Sequence, residues 1–155
     1  MISVLCVNED SIYKTMGLDC YDKHRDAYTF TGSNPVITHA PCAQWSRLKS
    51  FSTPDPYEKD LAWFCLEKVK ANGGIFEHPA GSSFFKEAGI KPFSIDQFWF
   101  GFPCKKRTYL YFSKCKPVAV PLRFDAIEKT VDQLHSSRRS DTTEQLARWF
   151  INCIE

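Results

Sequence analysis

The sequence predicts one α/β domain over residues 1–155, built around a mostly parallel sheet. A strand-like run at Pro35–His39 is followed by a helical pattern at Tyr57–Ala71 and a second strand-like run at Gly74–Glu77. Strand, helix and strand in this order form a right-handed crossover between parallel strands. The length of 155 residues and the hydrophobic fraction of 43% suit a single folded domain with its own core.

Local patterns predict two strands before this crossover and a clear end for its helix. Ile2–Val7 is short, apolar and rich in β-branched residues, as expected for a buried strand. A second strand is expected at Leu18–Tyr21. Apolar residues recur at helical spacing through Tyr57–Ala71, and Gly73 and Gly74 mark the end of that helix.

The C-terminal part of the chain predicts one more strand and a final helix. Tyr109–Phe112 is typical of a strand, and Lys116–Pro121 of an extended, proline-bounded segment or sheet edge. Asp141 stands three residues before Glu144, which is a capping-box pattern. We therefore expect an amphipathic helix that packs on the sheet.

Charge and cysteine usage limit the classes of function. The net charge is only +2, so nucleic-acid binding would have to depend on a local patch, of which Lys105–Arg107 is the strongest. Lys114, Lys116, Arg138 and Arg139 are candidate neighbours of this patch. The seven cysteines include no C-x-x-C pair, which argues against a disulfide framework or a structural zinc site. Reduced thiols, the absence of a long apolar stretch and the short apolar N-terminal run predict a cytoplasmic protein without a membrane partner.

Three short segments carry candidate reactive or binding residues: His39–Trp45, Glu77–Ser82 and Gly101–Tyr109. Cys42 and Glu77 each follow the carboxyl end of a predicted parallel strand. Open α/β sheets bind their ligands at this edge. Cys42 and Glu77 are therefore the central candidate residues, and Asp96–Gln97 is a candidate polar pair at the rim of the same pocket.

In order and spacing, these segments resemble the catalytic half of the DNA cytosine-C5 methyltransferases, over residues 26–150. Pro41 and Cys42 match the Pro-Cys turn that carries the nucleophile in that family, and Gln44 stands one position after its usual glutamine. Glu77 falls where the family's glutamate ends the next strand. The chain is also similar to small phage-type proteins described as methyltransferase-like.

The segment Gly101–Tyr109 resembles the family's glycine-proline-arginine segment. Lys106 and Thr108 stand in place of its two arginines, and Cys104 in place of its glutamine. Residues 139–146 are similar to the family's Arg-x-x-Thr-x-x-Glu helix start. The resemblance implies a compact Rossmann-like domain, truncated at the cofactor-binding end.

The resemblance also implies roles for individual residues. Cys42 would add to C6 of a pyrimidine in nucleic acid or a nucleotide, and Glu77 would hydrogen-bond the base edge. A lowered pKa at Cys42 would have to come from His39, Arg47 or a helix beginning after Cys42. Asp22 and Asp26 are candidate contacts to S-adenosylmethionine. The candidate substrate-binding residues are His39, Pro41, Gln44, His78, Ser82, Lys106, Arg107 and Thr108.

Two departures from the family keep other hypotheses open. The position of its glycine-rich cofactor loop reads Asn8–Ser11 here, with no glycine before Gly17, and the chain has no room for a target-recognition domain. A second hypothesis is a non-catalytic nucleotide- or protein-binding module that kept the pocket. A third is a nucleotide-processing enzyme that uses Glu77 without a methyl donor.

Overall fold

The computed structural model describes residues 1–46, 53, 55–125, 127 and 129–155. Its strands are β1 (Ser3–Leu5), β2 (Asp19–Tyr21), β3 (Val36–Thr38), β4 (Gly74–Pro79), β5 (Phe93–Asp96) and β6 (Arg107–Ser113). Its helices are α1 (Ile12–Thr15), α2 (Pro56–Asn72), α3 (Phe84–Ala88) and α4 (Glu144–Ile154). Among these described residues, no helix is long and apolar enough to cross a membrane.

The strands form one mixed sheet in the order β2-β1-β3-β4-β6-β5. Strands β1 to β4 pair in parallel, whereas β6 runs antiparallel to both of its neighbours, β4 and β5. The predicted α/β class with a mostly parallel sheet is thereby confirmed. The reversal of β6 brings its first residue to the edge at which the parallel strands end.

Helix α2 links β3 to β4, as the sequence predicts, and local chemistry fixes both of its ends. The Asp55 side chain accepts hydrogen bonds from the backbone N–H groups of Tyr57 and Glu58, and a proline occupies the first helical turn. The helix ends at Gly73, and Gly74 follows with φ +122°. A Cβ on Gly74 would lie 1.9 Å from the Val36 carbonyl oxygen, so only glycine permits β4 to start this close to β3.

The two faces of the sheet bury different hydrophobic clusters. Helix α2 packs on one face against residues such as Phe76, and α1 and α4 cover the other face with Tyr13 and Phe150. Side chains alternate along a strand, so Ile75 and Glu77 point to the α4 face while Phe76 points to the α2 face. Glu77 therefore lies on the same face of β4 as the buried Ile75 and is itself buried.

Several local expectations were wrong. Helix α4 is capped by Thr143, whose hydroxyl accepts from the Leu146 N–H, rather than by Asp141. Of the two alternatives for Lys116–Pro121, the sheet edge is not formed, because its two prolines cannot donate to a ladder. Strand β5 and helix α1 were not expected, since each has four residues and is too short to show a period.

Candidate functional site

A cleft with a volume of about 1340 Å³ runs along the edge where the parallel strands end. The segments after β1, β2, β3 and β4 all contribute to it, as does the start of β6. Because β6 is antiparallel, Thr108 pairs with Pro79 and Arg107 with Asp96, which places the start of β6 at this same edge. This is the edge at which open α/β sheets bind ligands.

The cleft brings together eight of the twelve candidate site residues. These eight are Asp22, Asp26, His39, Pro41, Cys42, Glu77, Lys106 and Arg107. Residues from four separate stretches of the chain, each at a strand end or strand start, thus share one surface. Gln97, the expected rim residue, also lines the cleft. Arg47 lies outside the described residues.

The other four candidates do not line the cleft and make internal hydrogen bonds instead. Gln44 donates to the Thr53 carbonyl oxygen at 3.0 Å, which turns its amide away. Thr108 accepts from Gln97 Nε2 at 2.9 Å, and this bond holds the Gln97 side chain in position. His78 and Ser82 bond to each other, with 2.6 Å between Nδ1 and Oγ. These residues support the site rather than form its surface.

His78 connects the end of β4 to the turn that carries Cys42. Its Nε2 lies 3.1 Å from the Pro41 carbonyl oxygen, to which it donates. Its Nδ1 therefore accepts the proton of the Ser82 hydroxyl, whose oxygen in turn accepts from the Phe84 N–H. Burial lowers the pKa of His78, against the opposing charge of Glu77, so the ring is neutral at neutral pH. Its tautomer is fixed, and so is the Pro41–Cys42 turn.

A hydrogen-bonded chain of three side chains occupies the middle of the cleft. His39 Nδ1 lies 3.0 Å from Glu77 Oε2, and His39 Nε2 lies 3.0 Å from the Tyr13 hydroxyl oxygen. Tyr13 has no exposed surface and Glu77 only 7%. Tyr13 was not anticipated from the sequence, because the four-residue helix α1 that carries it has no recognisable period.

Strand register explains why His39 and Glu77 meet. Thr38 of β3 pairs with Phe76 of β4, so the residues that follow them stand opposite each other. Both also point to the α4 face, on which Ile37 and Ile75 are buried. The spacing within each strand predicts the face to which His39 and Glu77 point. That they stand opposite each other can be predicted only when the register between β3 and β4 is known.

The carboxylate of Glu77 is buried but ionised. Burial is the largest single influence and acts to raise its pKa, but the hydrogen bond and charge of His39, together with the charges of Lys106 and His78, outweigh it. The net result is a pKa below the usual glutamate range. A buried carboxylate held negative in this way is an acceptor aimed into the cleft.

The Cys42 thiol is not activated in this structure. Burial raises its pKa and the negative charge of Glu77 raises it further, whereas Lys106 acts in the opposite sense. His39, one expected source of activation, is engaged by Glu77 and Tyr13. Residues 43–46 form a turn rather than the start of a helix. In the described residues, neither His39 nor a helix N-terminus lowers the pKa of Cys42, which is raised in the protein without ligand.

Charge changes sign along the cleft. The end near β2 is lined by the carboxylates of Asp10, Asp22, Asp26 and Glu58, and by Lys23, which pairs with Glu9. The end near β6 is lined by Lys105, Lys106, Arg107, Arg139 and Asp141. We call these the acidic end and the basic end. A ligand with a cationic or hydroxyl-rich part and an anionic part would be oriented by this gradient.

Two aspartates of the acidic end, Asp22 and Asp26, already accept hydrogen bonds. Asp22 accepts from the N–H groups of His24 and Arg25 and pairs with Lys14, whose hydrogen bond is the main reason that the pKa of Asp22 is lowered. Asp26 accepts from the Tyr28 N–H and from the Tyr57 hydroxyl. A carboxylate has about four acceptor positions. Asp26 therefore retains capacity for a ligand donor.

The basic end differs in membership from the predicted patch. Arg139 is a neighbour, because Lys106 Nζ donates to its carbonyl oxygen at 2.6 Å. Lys114 is not, since it follows the far end of β6 and donates to the Ala71 carbonyl oxygen at the end of α2. Lys116 lies two residues further on and does not line the cleft.

Comparison with known proteins assigns no family. No protein-family description matches the chain, and no curated protein matches its sequence. Within the described part of the chain, no group of three or more His, Cys, Asp or Glu side chains is placed to hold a metal ion. The site's own chemistry is therefore the basis for a functional proposal.

Proposed function

We propose that this protein is a nucleobase-modifying enzyme that resembles a minimal DNA cytosine-C5 methyltransferase. It acts on a pyrimidine in nucleic acid or a nucleotide, with Cys42 as the nucleophile. The observation that carries the proposal is that Cys42, Glu77 and the basic end share one cleft at the carboxyl edge of the sheet. A thiol, a base-edge acceptor and cations for phosphate are the groups this chemistry requires.

The strand order supports a Rossmann-like assignment. The parallel part of the sheet has the order β2-β1-β3-β4. β2 lies on one side of β1, and β3 and β4 lie on the other, so the topological switch point is between β1 and β3. Doubly wound sheets with this order bind nucleotides outside the switch point. His39 and Cys42 follow β3 directly at this position, so the candidate nucleophile lies where such folds hold a nucleotide.

The chemistry at the base follows from the charges of the site. As Cys42 Sγ bonds to C6, the ring gains electron density and one of its nitrogens takes up a proton near Glu77. The pKa of Cys42 is raised by burial and, after it, by the charge of Glu77, and a base that hydrogen-bonds Glu77 disperses that charge. Lys106 then favours the thiolate. Substrate binding would thus activate a thiol that is protonated, and unreactive, in its absence.

The acidic end is where S-adenosylmethionine would bind. Its carboxylates suit a sulfonium, an ammonium group and ribose hydroxyls, and Asp22 directly follows β2, where dinucleotide-binding sheets hold ribose. The bound cofactor would supply an electrophilic methyl group. Although glycine is missing after β1, Cys6 adopts φ +63°, the left-handed conformation that favours glycine. The chain makes this turn without a glycine.

The test is calorimetric titration of the intact protein with S-adenosylmethionine, with pyrimidine nucleotides and with single-stranded DNA. Cys42→Ser keeps the shape of the site and should bind the same ligands, while losing any covalent adduct detectable by intact mass. Glu77→Gln should weaken binding of the pyrimidine and leave cofactor binding unchanged. Failure of the wild type to bind the cofactor at millimolar concentration would end the methyltransferase proposal.

The second candidate is a binding module, and the raised pKa of Cys42 is the observation that favours it. Such a module would bind a nucleotide with equal affinity before and after Cys42→Ser and would modify no base. A nucleotide-processing enzyme that uses the ionised Glu77 is the third candidate. It would turn over a nucleotide without a methyl donor, and Glu77→Gln would abolish that turnover.

A further inference from the structure

We propose that His39 and Tyr13 are positioning residues that form, with Glu77, a proton-sharing unit, in which His39 Nδ1 supplies the proton that Glu77 passes to the bound base. The substrate part of this inference rests on the proposed function. Its geometric part does not, because the hydrogen bonds from Tyr13 to His39 and from His39 to Glu77 belong to the protein alone, each at 3.0 Å.

The partners of His39 determine where its protons lie. Glu77 is ionised and can only accept, so His39 Nδ1 must carry a proton and donate it. Tyr13 is fully buried, and its pKa is raised well above the usual value by burial and then by the charges of Glu77 and Cys20. Its phenol therefore keeps its proton. Whether His39 Nε2 accepts from this phenol or donates to it, Nδ1–H faces Glu77.

This arrangement gives Glu77 a proton source on the side away from the base. In the imidazolium form of His39, the Nδ1 proton is transferred to Glu77 Oε2, and the carboxylic acid that forms then donates its proton to a ring nitrogen of the pyrimidine. His39 becomes a neutral imidazole that keeps its Nε2 proton, and Glu77 is a carboxylate again. After the thiol proton has gone to solvent, the electron pair of the Cys42 thiolate forms the bond between Sγ and C6. The π pair of the C5–C6 double bond is displaced into the ring, where the nitrogen takes up the proton.

The groups around the unit set its dependence on pH. Within the unit, Tyr13 contacts His39 from α1. Cys42 faces the unit from the turn after β3, His78 from β4 and Lys106 from the start of β6. On the α4 side the neighbour is the Phe150 ring, 6.1 Å from the His39 ring. Tyr13 stays neutral, and burial keeps His78 neutral at neutral pH. Neither of these two groups therefore gains or loses a proton near neutral pH.

The first experiment is ¹⁵N NMR of the histidine ring nitrogens in the protein without ligand, with His39→Gln used to assign the signals. We expect a protonated Nδ1 at His39, and in Glu77→Leu, which has no acceptor for it, we expect the proton to move to Nε2. His78 is the internal control, because its bond to the Pro41 carbonyl fixes the opposite tautomer, with the proton on Nε2. An unprotonated Nδ1 at His39 in the wild type, or an unchanged tautomer in Glu77→Leu, would overturn the proposal.

The second experiment measures turnover against pH. His39→Gln should lower kcat about 100-fold with little change in KM and remove the alkaline limb of the pH profile, because general acid–base groups contribute at least this much. Tyr13→Phe, which removes only one hydroxyl, should shift that limb and keep most of the rate. If His39 were only structural, His39→Gln would lower stability and leave the shape of the pH profile unchanged. That result would contradict the proton-sharing unit.

The two experiments separate this inference from the proposed function. If the pyrimidine neither binds nor reacts but the NMR result is as expected, the proposed function fails while the proton-sharing unit stands. If turnover is found and His39 lacks the Nδ1 proton, the function stands and the unit is refuted. In each experiment, the unfolding transition of His39→Gln is measured to show that the variant is folded.

Discussion

Removing the partner of the buried Glu77 carboxylate is the sharpest test of how this site is held together. His39→Leu replaces the imidazole with an apolar side chain of similar size and leaves Glu77 buried without a partner. The two groups are 3.0 Å apart, and their side chains are only 16% and 9% exposed, so solvent screens them weakly. Breaking such a pair typically costs about 3–5 kcal/mol in the free energy of unfolding. Urea denaturation at neutral pH measures it.

The pH dependence of this cost identifies its cause. In the wild type, the pKa of Glu77 is lowered, so its stabilisation is present above the ordinary glutamate value of about 4.3 and is lost as pH falls through the folded pKa. In His39→Leu, burial without a partner raises the pKa of Glu77. As pH falls, protonation of Glu77 removes the unfavourable buried charge. The difference in stability between the two proteins should therefore shrink from pH 7 toward about pH 4.

A double-mutant cycle supplies the control. In a Glu77→Gln background no charge remains to be stranded, so His39→Leu should cost much less than in the wild type. A cost that is the same at every pH, or the same in both backgrounds, would show that His39 acts only by filling space. The assignment of Glu77 as an ionised acceptor would then be refuted.

Two further predictions concern the backbone and the thiol. Gly74→Ala should lower the free energy of unfolding by at least about 3 kcal/mol, because its Cβ would meet the Val36 carbonyl oxygen at a left-handed residue. Gly17→Ala, with φ +73° and no atom within 4 Å, is the matched control and should cost about 1–2 kcal/mol; equal losses would contradict the close-approach argument. Cys42 should react with iodoacetamide more slowly than an unstructured cysteine at pH 7.5, and Glu77→Gln should accelerate it, since the pKa of Cys42 is raised by burial and then by Glu77. Peptide mass mapping measures both rates, and a faster reaction in the wild type than in the unfolded chain would refute the raised pKa.

The sequence predicts best where a local rule decides the structure. The helix of Pro56–Asn72 has a capping aspartate, a helical period and a glycine end, and the strands on each side of it are short apolar runs. Cys42 and Glu77 could be placed at strand ends for the same reason. Their contact partners could not, because they depend on the register between β3 and β4.

Electrostatic properties were the least accessible to sequence reasoning. The resemblance implies a lowered pKa for Cys42, but this pKa depends on burial and on the charge of Glu77, a residue 35 positions away. Four polar candidates, among them His78 and Thr108, proved to bond within the protein, because each had a nearby partner that the sequence does not reveal. A polar side chain at a strand end can hold the site as readily as it can face a ligand.

The antiparallel direction of β6 has a consequence for how a ligand would lie. If β6 ran parallel to its neighbours, Lys106 and Arg107 would stand at the opposite edge of the sheet, more than the length of a strand away from Cys42. Because it is reversed, the spatial order β2-β1-β3-β4-β6 places carboxylates first, Cys42 and Glu77 in the middle and cations last. A nucleotide whose phosphate meets the basic end would therefore present its base to Glu77 and leave the acidic end free for a second, cationic ligand. Exchanging the charges of the two ends, rather than removing them, would accordingly be expected to reverse the preference of each end and not merely to weaken binding.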